Sequence, residues 1–159
     1  MAKLVYVAGP LFSQAERSFL ELMVDTLARA SSFDPVADFF LPHRDGGELG
    51  KGMKRKDIFE LDLQQVDSAT IVVGLLDGQD VDSGTSIELG YAHAKGKKIF
   101  GLLTDFRTYH NTADAEPHRP NLMVWGVCEE GNTLFGNLVS LAEAFAEYVK
   151  GIQLKGPEV

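Results

Sequence analysis

Apolar residues along the chain follow two patterns that alternate from one end to the other. Continuous apolar runs, rich in β-branched or aromatic side chains, occupy Leu4–Ala8, Val36–Leu41, Thr70–Leu76 and Lys98–Thr104. Runs of this length are typical of strands that are buried on both faces of a sheet. We therefore predict a strand at each of these positions.

Between the runs, apolar residues recur at helical spacing. Ser13 and Glu16 form the S/T-x-x-E pattern of a capping box, which predicts where the first helix begins. The apolar stripe of this helix consists of Phe19, Met23, Leu27 and Ala30. Further helices are predicted over residues 52–69, 84–95 and 137–150, and irregular segments over 42–50, 77–83 and 106–120.

Strands that alternate with helices indicate parallel crossover connections, and therefore an open α/β sheet covered by helices on both faces. The length of 159 residues fits one domain, residues 1–159, with a core of its own. In such sheets ligands bind at the carboxyl ends of the strands. This rule points to the residues after Ala8, to the turn 77–84 and to the loop beyond Thr104.

The charge balance narrows the range of expected partners. Apolar residues make up 45% of the chain and charged residues 24%, which is typical of a globular protein. The formal net charge is -8. A surface of this sign repels nucleic acid and anionic lipid, so neither is an expected partner. The basic cluster Lys51–Lys56 is most simply interpreted as the solvated face of a helix.

The sequence gives little support to disulfide or metal chemistry. Cys128 is the single cysteine, so no disulfide can form within the chain. The histidines lack the spacing of metal ligands, and no cofactor is expected. The apolar run at the N-terminus is too short for a signal peptide, and no segment reaches transmembrane length. We therefore expect a cytoplasmic protein.

The segment DSGTSIELGYA, residues 82–92, raises the question of what Glu88 does. Thr85 and Glu88 match S/T-x-x-E, so Glu88 can be interpreted as part of a capping box. The same residue lies near the start of a helix that begins at the ligand-binding edge, with little bulk one turn back at Gly84. Both interpretations fit the pattern.

Two further acids are predicted near the same edge. Asp82 precedes the helix, where the positive end of the helix dipole favours a carboxylate, and a simple N-cap would also explain it. Asp62 lies within the predicted helix 52–69, and in a straight helix it would be far from the edge. We predict instead a break, with a new turn that begins at Asp62 and uses Gln65 as its capping partner.

The segment after the first strand supplies candidates for substrate contact. Gly9 and Phe12 follow Ala8 at the predicted binding edge. Phe12 and Trp125 each offer a ring on which a base can stack, although a large aromatic side chain is more often part of a core. We select Gly9 and Phe12 as predicted substrate-binding residues.

Four motifs in the same order give these residues a common context. They are VYVAGPLF at 5–12, DLQQVDSATIVVGLLDG at 62–78, DSGTSIELGYA at 82–92 and RPNLMVWGV at 119–127. On these motifs the sequence resembles the nucleoside 2-deoxyribosyltransferase family. The resemblance implies a flavodoxin-like (Rossmann-type) α/β fold with an open, mainly parallel sheet of about five strands. It also implies transfer of 2-deoxyribose between nucleobases through a covalent sugar-enzyme ester, in nucleotide salvage.

The resemblance also implies catalytic roles for individual residues. Glu88 matches the nucleophile of the ELGYA motif, and Tyr6 matches the tyrosine that orients this glutamate. From the sequence alone, packing in the core explains Tyr6 equally well. Asp62 and Asp82 match the acids that hold the base and manage its proton.

Partners follow from the same resemblance. Asn121 and Met123 match a segment that a neighbouring subunit lends to the site, which implies a homo-oligomer. Deoxynucleosides and free nucleobases are the implied substrates. Family members can carry an aromatic residue near the C-terminal carboxylate, whereas the last residues here, LKGPEV, include none.

The reaction explains why acids would cluster in this way. Cleavage of a deoxyribosyl N-glycosidic bond builds positive charge at C1′ and negative charge on the departing base. The Glu88 carboxylate would trap C1′, and either Asp62 or Asp82 would have to be protonated near neutral pH to protonate the base. Burial and mutual repulsion of carboxyl groups raise a pKa in this direction. No metal is needed, because the protonated base leaves without one.

Two other functions are compatible with these residues. A deoxynucleoside 5′-monophosphate N-glycosidase would use the same glutamate and deliver the sugar to water. It needs cations for the phosphate, and Arg17 is the nearest candidate. A non-enzymatic nucleoside-binding module of the same fold would leave its ligand intact. Three mutually repelling carboxyl groups argue against that second alternative.

Overall fold

The computed structural model describes residues 3–47, 52–105 and 120–155. The strands of this part of the chain are β1 (Val5–Ala8), β2 (Phe39–Phe40), β3 (Ile71–Leu75), β4 (Lys98–Leu102) and β5 (Leu134–Phe135). They form one sheet in the order β2-β1-β3-β4-β5, and every pairing is parallel. This is the strand order of flavodoxin-like folds, so the predicted fold class is confirmed.

Helices cover both faces of the sheet. They are α1 (Gln14–Ser31), α2 (Pro42–Asp45), α3 (Arg55–Ser68), α4 (Ser83–Ala94), α5 (Leu122–Val127) and α6 (Leu138–Lys155). Buried residues of α1 and α6 share one apolar cluster with the sheet. Buried residues of α3, α4 and α5 share another on the opposite face.

Alternation along each strand divides the core between these two clusters. Val5 and Val7 of β1 face α1 and α6, whereas Tyr6 and Ala8 face α3 and α4. On the first face, a network of aromatic rings fills the space, with centroids 5.8 to 6.2 Å apart in the pairs formed by Phe33, Phe39, Phe100, Phe145 and Tyr148. The position of Tyr6 on the other face brings it toward the carboxyl groups discussed below.

The start of α1 agrees with the sequence pattern. Ser13 Oγ accepts a hydrogen bond from the backbone N–H of Glu16 (3.1 Å), and the Glu16 carboxylate accepts one from the backbone N–H of Ser13 (2.6 Å). The predicted capping box is therefore present.

The predicted strand Val36–Leu41 is shorter than expected. Only Phe39 and Phe40 form β2. The Asp34 carboxylate accepts hydrogen bonds from the backbone N–H groups of Val36 and Ala37, which holds these residues in a turn. An aspartate that binds the backbone two and three residues ahead competes with strand pairing.

Three short elements were not predicted. The segment 42–50 was expected to be irregular, yet it contains α2, and 48–50 lie outside the described residues. Neither α5 nor β5 was expected, and both have at most six residues. Elements this short carry too little periodicity to stand out in a sequence. The predicted irregular segment 106–120 lies outside the described residues except for Pro120.

Helix α3 is continuous from Arg55 to Ser68. The predicted break at Asp62 is therefore wrong, and Gln65 does not begin a capping arrangement there. Val66 is the one fully buried residue of this helix. Arg55 and Lys56, from the basic cluster, are exposed on its first turn.

Candidate active site

Glu88 lies in the second turn of α4 and points toward the sheet. The helix begins at Ser83, so Thr85 and Glu88 are both inside it, and the capping-box interpretation of Glu88 is wrong. The stripe of α4 that faces the core contains the fully buried Thr85, Leu89 and Ala92. Glu88 borders this stripe and is partly buried.

The Glu88 carboxylate is held by Tyr6. The phenolic O–H of Tyr6 donates a hydrogen bond to Glu88 Oε1 over 2.7 Å. Tyr6 has no exposed surface and packs in the core of the face that α3 and α4 cover. The two interpretations of Tyr6, a core aromatic and a partner of Glu88, are thus both correct for its position. A buried O–H normally finds an acceptor, and here the acceptor is a carboxylate.

Asp62, in the middle of the unbroken helix α3, also lies near Glu88. Asp62, Val66 and Ala69 are spaced i, i+4 and i+7, which puts Asp62 on the side of α3 that faces the sheet. The negative charge of Asp62 acts on both Tyr6 and Glu88, so Asp62 lies near this pair. An unbroken α3 therefore brings Asp62 to the site that the predicted break was meant to reach.

One oxygen of Asp62 has no hydrogen-bond partner within the described residues. This oxygen, Oδ1, is fully buried. A buried and unpaired carboxylate oxygen is costly, and protonation of the group relieves that cost. Burial accordingly raises the pKa of Asp62 to about 6.

The pKa of Glu88 is also raised. Its pKa is about 7: burial raises it most, the hydrogen bond from Tyr6 lowers it, and the negative charges of Asp62 and Asp82 also raise it. The pKa of the Tyr6 phenol lies well above its usual range because of burial and then the charges of Glu88 and Asp62. Tyr6 therefore remains a hydrogen-bond donor throughout the working pH range. The three groups form one electrostatically coupled cluster.

Asp82 is the N-cap of α4. Its Oδ2 accepts hydrogen bonds from the backbone N–H of Thr85 (2.9 Å) and from Thr85 Oγ1 (3.2 Å). The simple capping explanation of Asp82 is thus correct for its geometry. Its negative charge also raises the pKa of Glu88, so Asp82 is electrostatically part of the cluster.

The segment after β1 packs closely against the core, and hydrogen bonds from Arg17 hold its backbone in place. A Cβ atom at Gly9 would lie 2.9 Å from Leu20 Cδ2 and 3.2 Å from Leu75 Cβ, so a larger residue there would force the Leu20 side chain to shift. The Arg17 guanidinium donates hydrogen bonds to the carbonyl oxygens of Leu11 (2.8 Å) and Phe12 (3.2 Å). The Phe12 side chain is 72% exposed and is not part of the core. Substrate contact by Gly9 and Phe12 remains a prediction.

Asn121 and Met123 lie at the start of α5. The Asn121 side chain accepts a hydrogen bond from the backbone N–H of Met123 (2.9 Å), and the Met123 side chain is 77% exposed. With Ile87 they line part of a groove of about 480 Å³ between α4 and α5. Among the described residues, no hydrogen bond joins either of them to Glu88. Their role in the site of a neighbouring subunit remains a prediction.

Asp77 was not selected from the sequence as a functional residue. Its carboxylate accepts hydrogen bonds from the backbone N–H groups of Thr104 (2.5 Å) and Asp105 (2.9 Å) and from the Thr104 hydroxyl. These bonds connect the segment after β3 to the segment after β4. The signal in the sequence was an aspartate immediately after a buried strand, at the edge where ligands bind.

Neither a metal site nor a membrane-spanning helix is found among the described residues. No group of three or more histidine, cysteine, aspartate or glutamate residues in this part of the chain could hold a metal ion. No described helix combines the length and the apolar character needed to cross a membrane.

The fold and the acid cluster define an α/β protein whose candidate site lies where the connections after β1 and β3 depart to opposite faces of the sheet. A sequence model of the nucleoside 2-deoxyribosyltransferases matches residues 5–139, which is most of the chain. The chain therefore belongs to the nucleoside 2-deoxyribosyltransferase family, as the resemblance predicted.

Solved structures share the fold. A conserved protein from Enterococcus faecalis V583 is similar with a TM-score of 0.76 and 27% identity, over 93% of this chain and 99% of that one. A 2-deoxyribosyltransferase from Leishmania mexicana gives a TM-score of 0.64 and 22% identity, over 93% of this chain and 97% of that one. A CMP N-glycosidase from Clostridium botulinum gives 0.51 and 19%, over 95% and 99%. Proteins named for transfer and for hydrolysis thus share the architecture, and fold alone does not choose between the reactions.

Proposed function

We propose that the protein transfers the 2-deoxyribosyl group between nucleobases by a retaining double displacement through a deoxyribosyl ester of Glu88. In the first step, Glu88 attacks C1′ of a deoxynucleoside, the N-glycosidic bond breaks, and the base leaves with a proton from the acid cluster. In the second step, a free base attacks C1′, gives up its proton and regenerates Glu88. Such an exchange would serve nucleotide salvage.

One observation carries this proposal: a partly buried carboxylate is held by a buried tyrosine O–H beside a second, unpaired carboxyl oxygen. The Tyr6 hydrogen bond fixes the rotamer of Glu88 and favours its ionised form, which is the nucleophile. Asp62 supplies a carboxyl group whose burial favours the protonated form. A nucleophile and an acid are the two groups that the reaction requires.

Between the two candidate acids, the geometry favours Asp62 as the proton donor. Asp82 Oδ2 is engaged at the start of α4, where capping is best served by an ionised carboxylate. Asp62 has a free oxygen and a pKa raised to about 6. The negative charge of Asp62 raises the pKa of Glu88, so the two groups titrate as a coupled pair. Catalysis requires that the proton of this pair is on Asp62 and that Glu88 is ionised.

Covalent trapping tests the proposal directly. A 2-fluoro-substituted deoxynucleoside slows hydrolysis of the ester, because the fluorine destabilises positive charge at C1′. Peptide mass spectrometry should then find one added fluorodeoxyribosyl group, on the peptide that contains Glu88. The Glu88→Gln variant serves as the control and should remain unlabelled. An adduct on another residue would contradict the assigned nucleophile.

A product assay separates transfer from hydrolysis. A deoxynucleoside is incubated with and without a second free base, and the products are separated by chromatography. Transfer predicts a new nucleoside that contains the second base, whereas an N-glycosidase yields free sugar in both samples. If no base is released at all, the chain is a binding module.

The oligomer is part of the proposal. Asn121 and Met123 line the exposed groove between α4 and α5 and are not bonded to Glu88 of the same chain, which supports a role in a neighbouring site. Mixing Glu88→Gln protein with Met123→Ala protein tests this. If sites are shared, mixed oligomers should recover activity above the sum of the two variants. An unchanged sum together with a monomeric mass by light scattering would contradict shared sites.

A further inference from the structure

We propose that Phe40 is a positioning residue of the active site, which acts on Glu88 through the ring of Tyr6. The inference rests on the proposed function of Glu88 and extends it to a residue on a different strand. Tyr6 and Phe40 lie side by side on neighbouring strands, in register across the β1-β2 pair. Their rings are stacked, with centroids 5.6 Å apart and planes inclined by 17°.

The geometry makes Phe40 one wall of the slot that holds the Tyr6 ring. Tyr6 bonds Glu88 at the far end of a long side chain, so a small rotation of the ring moves the hydroxyl by much more than it moves the ring base. The bond is short, 2.7 Å, and hydrogen bonds weaken steeply with poor distance and angle. A misplacement of about 1 Å in a catalytic arrangement can reduce the rate by on the order of 100-fold.

Phe40 has no direct access to a substrate. Its side chain is 3% exposed and belongs to the same apolar cluster as Tyr6, Ala8 and Val72. Any effect of Phe40 on turnover must therefore pass through its neighbours. Among these, Tyr6 is the residue that is bonded to Glu88.

The chain contains a matched control next to Phe40. Phe39 is the preceding residue on β2, is also buried, and points to the opposite face of the sheet. Its ring contacts are with Phe33 and Phe145, at centroid distances of 6.2 and 6.1 Å. The substitutions Phe39→Leu and Phe40→Leu therefore remove similar buried volume from the same strand, but only the second removes a neighbour of Tyr6.

The kinetic test is a double-mutant cycle. Values of kcat and KM are measured for Phe40→Leu and Phe39→Leu, each in the native background and in Tyr6→Phe. We expect Phe40→Leu to lower kcat by about tenfold with KM changed by less than about twofold, and to have almost no further effect in Tyr6→Phe. Phe39→Leu should have the same small effect in both backgrounds. An equal loss of kcat from Phe40→Leu in both backgrounds would overturn the proposal.

A second measurement needs no turnover, and so separates this proposal from the proposed function. The side-chain carboxyl of Glu88 is titrated by carbon NMR in the substrate-free protein, where Tyr6, Asp62 and Asp82 are the ionisable groups that influence it. Because the Tyr6 hydrogen bond lowers the pKa of Glu88, Phe40→Leu should raise this pKa, and Phe39→Leu should leave it unchanged. An unchanged or lowered pKa in Phe40→Leu would refute the positioning role, even if the protein proves to have another activity.

A further variant, Phe40→Met, is a control for loss of protein stability. Phe40→Met preserves most of the side-chain volume but lacks a flat ring, so it should fold even if the leucine variant does not. It should show the same direction of change in kcat and in the pKa of Glu88. Native values of both in Phe40→Met would overturn the proposal.

Discussion

The two faces of the sheet differ in the kind of side chains that are buried on them. On the face covered by α1 and α6, aromatic rings pack against one another, and the buried Ser31 hydroxyl donates to the carbonyl of Leu27. On the face covered by α3 and α4, the apolar cluster adjoins Asp62 and Glu88, whose pKa values are both raised by burial. Both faces bury an apolar cluster, but only the second places carboxyl groups with raised pKa values beside it.

This difference indicates where function is located in a sheet that is covered on both sides. Apolar packing on either face can be exchanged for similar packing at modest cost. A buried carboxyl group beside another marks a candidate functional site, because acid-base and nucleophilic chemistry uses perturbed protonation. The contrast between the faces can be tested by substitutions that change either kcat or the free energy of unfolding and leave the other unchanged.

The largest effect is expected from Glu88→Gln on the reactive face. The amide can still accept the Tyr6 hydrogen bond but cannot form the ester, so kcat for base exchange should fall by on the order of 10,000-fold. Steady-state kinetics measures kcat, and a circular dichroism spectrum verifies that the variant is folded. Glu143→Gln, at an exposed position of α6, is the control and should retain native turnover. A Glu88→Gln protein with more than a tenth of native kcat would contradict the nucleophile.

On the opposite face, Phe145→Ala should produce the complementary result. Phe145 is fully buried among Phe33, Phe39 and Phe100, so its truncation should lower the free energy of unfolding by about 3 to 5 kcal/mol. The protein that remains folded should keep native kcat. Urea unfolding measures the loss, and Val139→Ala on the exposed side of α6 should change it by less than about 0.5 kcal/mol.

Asp62→Asn should give an intermediate effect that depends on the leaving group. Loss of the proton donor should lower kcat by about 100-fold for natural bases. A deoxyriboside with a nitrophenolate leaving group needs no proton, so its cleavage should fall by much less. Asp67→Asn is the control on the same helix, since Asp67 is exposed and is bonded to Tyr91. Equal losses for both leaving groups would show that Asp62 is not the acid.

The smallest effect concerns stability and pH. Because the pKa of Glu88 rises from 4.5 to about 7 on folding, the folded state binds more protons than the unfolded state between these values. The contribution of Glu88 to stability is therefore lost as the pH rises through this window. Glu88→Gln should be more stable than the native protein by about 3 kcal/mol at pH 8, and the difference should vanish near pH 4. A difference that does not change with pH would contradict the raised pKa.

Much of this arrangement was readable from the sequence, and the failures have physical causes. Strands β1, β3 and β4, the capping box of α1 and the placement of Glu88 follow from local patterns that tertiary packing did not override. The predicted break at Asp62 was wrong, yet Asp62 does lie near Tyr6 and Glu88, because the side of α3 that faces the sheet depends on the packing of the whole helix. The stacking of Phe40 on Tyr6 depends on the register of two strands that are far apart in sequence, and no local pattern encodes that register.

The attachment of α3 has a consequence for motion. Val66 is the one fully buried residue of this helix, whereas six residues of α1 are buried. Segments with little buried apolar area open at lower free energy than the rest of the protein. The backbone amides of α3 should accordingly exchange with deuterated solvent sooner than those of α1. The helix that carries Asp62 should therefore open more readily than the helix that covers the opposite face.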